Sequence, residues 1–342
     1  MSFQAGSATF VMPHWFENSE AGRRYLDLTL AAIFHQTDDN WRLVLIDDGS
    51  SAAETRLHLD QLRQEYRDKI HVIFKESNDG PGACRNLGVE WAYEQGSPFI
   101  LFNDADDPPD PRRLEVVRNV FVERPETGVV YSTFRVIDED GQEIPLVEMT
   151  PSVAEVIEAH RQHPPQGDNA WIEIGTQTGY VNHTSSTAVR TDLAIQFPFP
   201  PERVSEDSHT WFRYSAGGGP FVYVDEPLST YRNTRDVAGS LSRAREGGKR
   251  GFYATKARVD TEGFQEAVKI ALANKKIDPE QAKELLVKFY VRLGQTLAKE
   301  GHPRLASEQF QAALAVSPKL AEQLVIERGL ATALWAQSKT NC

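Results

Sequence analysis

The chain has 342 residues, of which 40% are hydrophobic and 25% charged, and its formal net charge is −12. This length favours two domains, or one large domain with an appendage, and the composition excludes wholesale disorder and a collagen-like fibre. The acidity lies in residues 1–242, with 20 basic and 38 acidic side chains against 17 and 11 in residues 243–342. An acidic body repels phosphates, so we expect no nucleic-acid partner.

Strand and helix patterns alternate along the first 110 residues. Short apolar runs predict strands, and segments with apolar residues at helical spacing follow them. The predicted strands are residues 8–12, 43–46, 70–74 and 99–102, and the predicted helices are residues 22–35, 53–66 and 82–94. Such alternation is typical of a parallel sheet with helices on both faces.

The rest of the chain changes character twice. Its middle predicts a helix over residues 205–214, with Ser205 as N-cap, and strands at residues 128–137, 185–190, 221–224 and 228–231. From about residue 254 the pattern is helical, and residues 290–318 fit one tetratricopeptide-like repeat. We therefore predict one domain over residues 1–250 and a helical region over residues 251–342. Because one repeat cannot bury its own faces, we expect the helical region to brace the first domain or to form a homodimer contact, with a peptide-binding groove as the alternative.

Carboxylates cluster where two predicted strands end. Asp47 and Asp48 follow the strand at 43–46, and Asp104, Asp106 and Asp107 follow the strand at 99–102. Ligands of open α/β sheets bind at the carboxyl ends of parallel strands. Crowded carboxylates repel one another unless a cation lies among them. Mn²⁺ or Mg²⁺ bound to a substrate diphosphate meets this need, because hard cations take oxygen ligands.

Further motifs surround these clusters in a fixed order. They are Val11-Met12-Pro13, His35-Gln36-Thr37, Asp47-Asp48-Gly49-Ser50, the segment from Asn78 to Asn86, Asn103-Asp104-Ala105-Asp106-Asp107, Ser205-Glu206-Asp207 and Tyr231-Arg232. The ordered set resembles the inverting family 2 glycosyltransferases of GT-A fold, which have a Rossmann-like, mostly parallel sheet with flanking helices. No G-x-G-x-x-G follows the first strand, which disfavours a dinucleotide-dependent dehydrogenase.

The resemblance implies a donor site and a metal site. Asp48 would accept a hydrogen bond from the base, Trp15 would stack on it, and Asp104 would hold the ribose. Asp106, together with Asp104, would bind Mn²⁺ or Mg²⁺, and Asp107 would lie near the donor sugar. The family often has a histidine where this chain has Thr234, which leaves the third protein ligand of the metal open. The donor-binding residues so implied are Pro13, Trp15, Glu17, Asp48, Asn78, Arg85, Asp104, Ala105, Asp106, Asp107 and Arg232.

The catalytic base is expected on the helix that starts near residue 206. Inversion needs a base on the face opposite the departing diphosphate, and the resemblance implies Asp207 for this role, with Glu206 beside it. We expect Arg232, Arg235, Arg243 or Arg245 to help stabilise the leaving diphosphate. The acceptor side is predicted between residues 148 and 235, with Trp171, Tyr180, His183 and Trp211 as candidates.

The predicted function is metal-dependent, inverting transfer of a sugar from a nucleotide-sugar, most simply a UDP-sugar. The acceptor would be a hydroxyl or similar nucleophile on a saccharide, a lipid-linked molecule or a small molecule. A peptide- or protein-modifying transferase that docks its acceptor on the helical tail is the alternative. A non-catalytic nucleotide-sugar-binding scaffold is disfavoured, because Asp104, Asp106 and Asp207 are all present. The chain has no long apolar run, no signal-like start and only two cysteines, so we expect a cytoplasmic protein without a membrane span.

Overall fold

The computed structural model of the chain describes residues 6–16, 20–179, 182–233 and 248–330. Contacts divide the chain into two compact units that are discontinuous in sequence. The first unit takes its residues from 1–168, 181–203 and 219–237, and the second from 169–180, 204–218 and 238–342. These units do not divide at residue 250, and the domain boundary placed there stays a prediction.

The first unit is built on a single sheet. Its strands are β1 (Ala8–His14), β2 (Trp41–Asp47), β3 (Ile70–Phe74), β4 (Phe99–Phe102), β5 (Val129–Ile137), β6 (Thr187–Arg190) and β7 (Phe221–Arg232). The order across the sheet is β3-β2-β1-β4-β6-β5-β7. β1 pairs in parallel with β2 and β4, β2 with β3, and β5 with β7. The predicted α/β fold with a mostly parallel sheet is confirmed.

Helices cover this sheet. They are α1 (Glu20–Phe34), α2 (Ala53–Glu65), α3 (Pro81–Glu94), α4 (Arg113–Glu123), α5 (Pro151–Gln162) and the short α7 (Thr191–Gln196). All four side chains of β4 are buried, at 0% exposure. A strand that is covered on both faces must be apolar throughout, which is why its sequence shows a continuous run rather than alternation.

β6 runs opposite to its neighbours. It pairs antiparallel with β4 and with β5, so that Leu101 in β4 lies opposite Ala188 and Phe99 lies opposite Arg190. The beginning of β6 therefore lies beside the end of β4. Residues that precede β6 in the chain reach the same edge of the sheet as residues that follow β4.

β7 is one continuous strand where the sequence predicted two. Its pairing with β5 shifts register on both sides of Thr133, which lies opposite Pro227. Proline cannot donate to a sheet ladder, so it is tolerated at such an irregularity. The acidic and proline residues between the two predicted strands form a bulge within the one strand.

The second unit is helical. It contains α6 (Ala170–Glu173), which continues into a π-helical turn (Ile174–Thr178), then α8 (Glu206–Gly217), α9 (Lys249–Ala273), α10 (Pro279–Lys299), α11 (Pro303–Val316) and α12 (Pro318–Glu327). The predicted helical C-terminal region is confirmed. No helix in the described part of the chain is both long enough and apolar enough to cross a bilayer.

Aromatic rings fill the interior of the second unit. The rings of Phe264 and Phe289 stack with centroids 4.4 Å apart, and Trp171 lies 5.3 Å from Phe264. In α10, a Cβ on Gly294 would lie 2.6 Å from the ring of Phe310. The glycine thus permits the close approach of α10 and α11 that the repeat pattern requires, while the assignment to tetratricopeptide repeats stays a prediction.

Candidate functional site

The turn after β2 holds Asp48 within a set of hydrogen-bond donors. Asp48 is 3% exposed, and Lys75 forms an ion pair with its carboxylate. The backbone N–H groups of Asp79 and Gly80 donate to the same carboxylate, at 3.0 and 2.8 Å. Gly49 makes the turn possible, because its φ is +72° and a Cβ there would lie 2.8 Å from the backbone of the neighbouring loop. The charge of Asp48 is therefore balanced within the protein.

The adjacent Asp47 serves the scaffold. His14 Nδ1 lies 3.1 Å from Asp47 Oδ1, and the Ser50 hydroxyl and N–H both donate to the same carboxylate. Burial on its own would raise the pKa of Asp47, but the hydrogen bonds from His14 and Ser50 outweigh it, and the pKa lies below its ordinary value. Asp47 thus ties the ends of β1 and β2 together.

Other residues predicted on the donor side surround this turn. Pro13 and Trp15 lie at the end of β1 and are partly exposed. The side-chain carbonyl of Asn78 accepts a hydrogen bond from Arg203 at 2.8 Å, and Arg203 also donates to the backbone carbonyl of Asn78. Arg203, which sequence reasoning missed, therefore fixes the loop that carries the donors to Asp48. Glu17 lies outside the described residues.

The acidic turn, residues 104–107, follows β4. Arg85, buried in α3, donates to Asp104 Oδ1 at 2.9 Å. The backbone N–H of Asp104 donates to Ser185 Oγ at 2.9 Å, and the Ser185 hydroxyl donates to Asp107 Oδ2 at 2.8 Å. Ala105 is buried. Because Ser185 precedes β6, the antiparallel strand delivers it to this turn.

Arg232 anchors the acidic turn. Its N–H donates to Asp107 Oδ1 at 2.8 Å, and its guanidinium donates to the backbone carbonyls of Asp106 and Asp138 at 3.0 and 2.7 Å. The guanidinium also lies over the ring of Tyr25, 4.2 Å from the centroid. These bonds engage Nε and Nη1 within the protein, so the predicted role of Arg232 at a diphosphate would fall to Nη2. The other arginines predicted for this role lie outside the described residues; they are Arg235, Arg243 and Arg245.

The acidic turn holds more negative charge than its neighbours balance. Burial, and then the charge of Asp104, raises the pKa of Asp106 to about 6. Burial and the charges of Asp106 and Asp104 raise the pKa of Asp107 well above its ordinary value. Each carboxylate therefore makes ionisation of the next one costly. A divalent cation would remove this cost, and the carboxylate oxygens are the ligands that Mg²⁺ and Mn²⁺ accept.

His183 joins this turn rather than a separate acceptor surface. Within the described residues, ligand atoms of Asp104, Asp107 and His183 all lie within 4.8 Å of one another. His183 Nε2 is 3.6 Å from Asp107 Oδ2. Mainly because of burial, the pKa of His183 is lowered to about 4, so the ring is neutral at pH 7. The set that can share one cation therefore differs from the predicted pair of Asp104 and Asp106.

The remaining candidates belong to the second unit. Glu206 and Asp207 occupy the first turn of α8, and the Ser208 N–H donates to Asp207 Oδ1 at 2.7 Å. Trp171 and Trp211 are 0% and 1% exposed, so these two side chains offer no surface to an acceptor. Tyr180 lies outside the described residues.

Ser205 precedes α8, but the prediction that it caps the helix is wrong. Its side chain makes no capping hydrogen bond, and its backbone is left-handed, with φ 59° and ψ 16°. Lys256 donates to Ser205 Oγ at 3.0 Å instead. A left-handed serine costs conformational energy that the surrounding structure must offset.

The chain is similar to known glycosyltransferases. Residues 9–182 match the family model described as Glycosyl transferase family 2. The putative teichuronic acid biosynthesis glycosyltransferase TuaG of Bacillus subtilis is 29% identical over 119 residues, which cover 35% of this chain and 45% of TuaG. The chain spans less than half the length of the curated relatives it matches.

Solved structures share the fold at low sequence identity. TarS 1–349 of S. aureus matches with a TM-score of 0.61 and 16% identity over 93% of this chain and 83% of that one. Its complex with UDP-GlcNAc matches with a TM-score of 0.52 and 15% identity over 94% and 92%. The mannosyltransferase PcManGT of Pyrobaculum calidifontis, in complex with GDP-Man and Mn²⁺, matches with a TM-score of 0.52 and 18% identity over 99% and 84%.

Proposed function

The chain belongs to glycosyltransferase family 2, and from this premise we propose that it transfers one sugar from a nucleoside-diphosphate sugar to an acceptor hydroxyl with inversion at the sugar carbon. The observation that carries the proposal is the acidic turn at the carboxyl end of β4, where burial and neighbouring carboxylates raise the pKa of Asp106 and of Asp107. A site of this kind suits a cation and a diphosphate together, because the cation offsets the negative charge of the carboxylates and of the diphosphate.

We propose a UDP-sugar as the donor. TarS, which shares the fold, has been solved with UDP-GlcNAc. In this chain Asp48 would accept the base N–H through a lone pair that its protein donors leave open, and Trp15 would stack on the base. PcManGT has been solved with GDP-Man, so guanosine donors are the comparison to include. Asn78 and Arg85 would line the same side.

We propose Mn²⁺ or Mg²⁺ as the cofactor, held by carboxylates of the acidic turn. When bound, such a cation neutralises charge that develops on the departing diphosphate. The chain's own contribution is the arrangement of that turn. Arg85 fixes Asp104, and Ser185 and Arg232 fix Asp107. These bonds hold the carboxylate oxygens in position before a donor binds. Less conformational entropy is therefore lost on binding.

We propose Asp207 as the general base. It would accept the proton of the acceptor hydroxyl as that oxygen attacks the sugar carbon, and Glu206 would hold the acceptor. Replacing Asp207 with Asn keeps its shape and removes its basicity, so turnover should fall by about 10²–10⁴-fold. Glu206→Gln is the matched control and should lose less. Affinity for UDP should stay unchanged in both variants, because the proposed donor residues lie elsewhere in the chain.

The proposed function is tested with a panel of UDP-, GDP- and other nucleotide-sugars, with Mn²⁺ or Mg²⁺ and without an acceptor. Slow hydrolysis of one UDP-sugar that stops in EDTA is expected. Equal binding of UDP in EDTA and in Mn²⁺, measured by calorimetry, would rule out the metal role. A stable fold that binds no nucleotide-sugar in the panel would contradict the transferase function.

A further inference from the structure

His183 is held in place from two sides. Its ring lies 4.7 Å from that of Tyr231, edge to face, and 5.2 Å from that of Phe134. Its backbone carbonyl accepts hydrogen bonds from the Ser186 N–H at 3.0 Å, the Ser186 hydroxyl at 2.8 Å and the Thr187 hydroxyl at 2.9 Å. Both the backbone and the ring are therefore fixed without any contribution from the imidazole nitrogens.

The ring nitrogens are available for a ligand. Nε2 lies 3.6 Å from Asp107 Oδ2, which is too far for a hydrogen bond of normal strength. Nδ1 is buried and has no hydrogen-bond partner among the described residues. A buried polar atom without a partner costs about 1–3 kcal/mol, so a purely structural histidine would be expected to use at least one nitrogen.

The distances fit one shared cation. Adjacent ligands on an octahedral cation with bonds of about 2.1 Å lie about 3 Å apart, and opposite ligands lie about 4 Å apart. The ligand atoms of Asp104, Asp107 and His183 lie within 4.8 Å of one another, so small side-chain adjustments bring them to one ion. Of the two Asp104 oxygens Arg85 contacts Oδ1, and Ser185 uses one lone pair of Asp107 Oδ2.

We propose that His183 is a protein ligand of the divalent cation, beside Asp104 and Asp107, and that it makes this chain prefer Mn²⁺ to Mg²⁺. The inference deepens the proposed function and rests on its metal site. Mg²⁺ strongly prefers oxygen ligands and retains its waters, whereas transition-metal ions accept imidazole nitrogen readily. Two carboxylates and one imidazole therefore form a donor set that discriminates between the two cations.

The test uses the full chain and Mn²⁺ alone. Pulsed electron paramagnetic resonance detects ¹⁴N of an imidazole bound directly to Mn²⁺, and this measurement on the wild type needs no variant and no activity. A directly bound ¹⁴N signal is expected. In His183→Gln the signal should vanish, and Mn²⁺ affinity should fall about tenfold or more, with a smaller change for Mg²⁺. His163→Gln, which replaces an exposed histidine, is the matched control and should change neither.

Three results would overturn the inference. They are a wild-type spectrum without bound ¹⁴N, no Mn²⁺ binding at millimolar concentration, and a His183→Gln protein that keeps the signal or the affinity. Melting curves establish that the variant is folded. If ¹⁴N is bound but no nucleotide-sugar turns over, the proposed function fails and the ligand assignment stands. If turnover needs Mn²⁺ but ¹⁴N is not bound, the ligand assignment fails and the function stands.

Discussion

Asp48, just past β2, and Asp106, just past β4, are aspartates at neighbouring parts of one sheet edge, but their charges meet different surroundings. Asp48 is paired with Lys75 and accepts two backbone N–H groups. Asp106 lies between other carboxylates, and its pKa is raised to about 6, by burial first and then by Asp104. Identical side chains after similar strands therefore have opposite electrostatic surroundings: Asp48 faces a lysine and N–H donors, whereas Asp106 faces other carboxylates.

The largest effect should come from removing Asp48. In Asp48→Ala the N–H groups of Asp79 and Gly80 lose their acceptor and Lys75 loses its buried partner, so the free energy of unfolding should fall by about 3–5 kcal/mol. Urea denaturation measures it. Asp79→Ala is the control, because the Asp79 side chain also pairs with Lys75 but is 55% exposed, and its loss should stay below about 1 kcal/mol. Equal losses in the two variants would show that the burial of Asp48 adds nothing to its contribution to stability.

A double-mutant cycle between Asp48 and Lys75 measures how much of this loss comes from their ion pair. With Lys75→Met in the background, Asp48→Ala should cost less, because no partly buried ammonium then loses one of its carboxylate partners. We expect a coupling energy of about 1–3 kcal/mol from the same denaturation experiments. A coupling near zero would mean that the backbone N–H groups alone hold Asp48.

Removing the carboxylate of Asp106 should have the opposite effect and raise the stability of the protein. A carboxyl whose pKa is raised in the folded state lowers the free energy of unfolding as the pH rises from the ordinary pKa of 3.8 through about 6. At higher pH this destabilisation persists. In EDTA at pH 7.5, Asp106→Asn should therefore raise the melting temperature by about 2–4 °C. At pH 5 the wild-type carboxyl is mostly protonated, and the gain should shrink. A lower melting temperature for this variant at pH 7.5 would contradict the excess of charge in the acidic turn.

The smallest effect concerns Cys84, whose Sγ lies 4.0 Å from Lys75 Nζ. Burial, and then the charge of Asp48, raises the pKa of this thiol to about 12. In a Cys342→Ser background at pH 8, the native protein should react with a disulfide reagent far more slowly than the same protein in guanidinium chloride, because only the thiolate attacks. Rapid reaction of the native thiol would show that the turn after β2 is open.

Local sequence pattern was sufficient for the strands but not for the site. The predicted bounds of β3 and β4 match the structure, because their apolar runs end at polar residues. His183 could not be found in this way. It lies beside Asp104, 79 residues away in the chain, only because β6 is antiparallel. The sequence around His183 does not indicate the direction of that strand.

Arg232 illustrates a second limit of sequence reasoning. A basic residue after a strand indicates an anion site, yet its guanidinium binds backbone carbonyls. Carbonyls are present at every residue, so the sequence does not show which of them a side chain will meet. Sequence pattern thus located the acidic turn and left the partners that shape it to the structure.

The bulge in β7 bears on how the protein behaves when concentrated. β7 is an end strand of the sheet, and the ends of a sheet offer unpaired backbone groups to strands of other molecules. Pro227 lies at the bulge and lacks an N–H, and the neighbouring Asp225 and Glu226 carry negative charge. These three residues interrupt the ladder that a second copy would need for edge-to-edge pairing. The irregular segment of β7 therefore protects the sheet against aggregation.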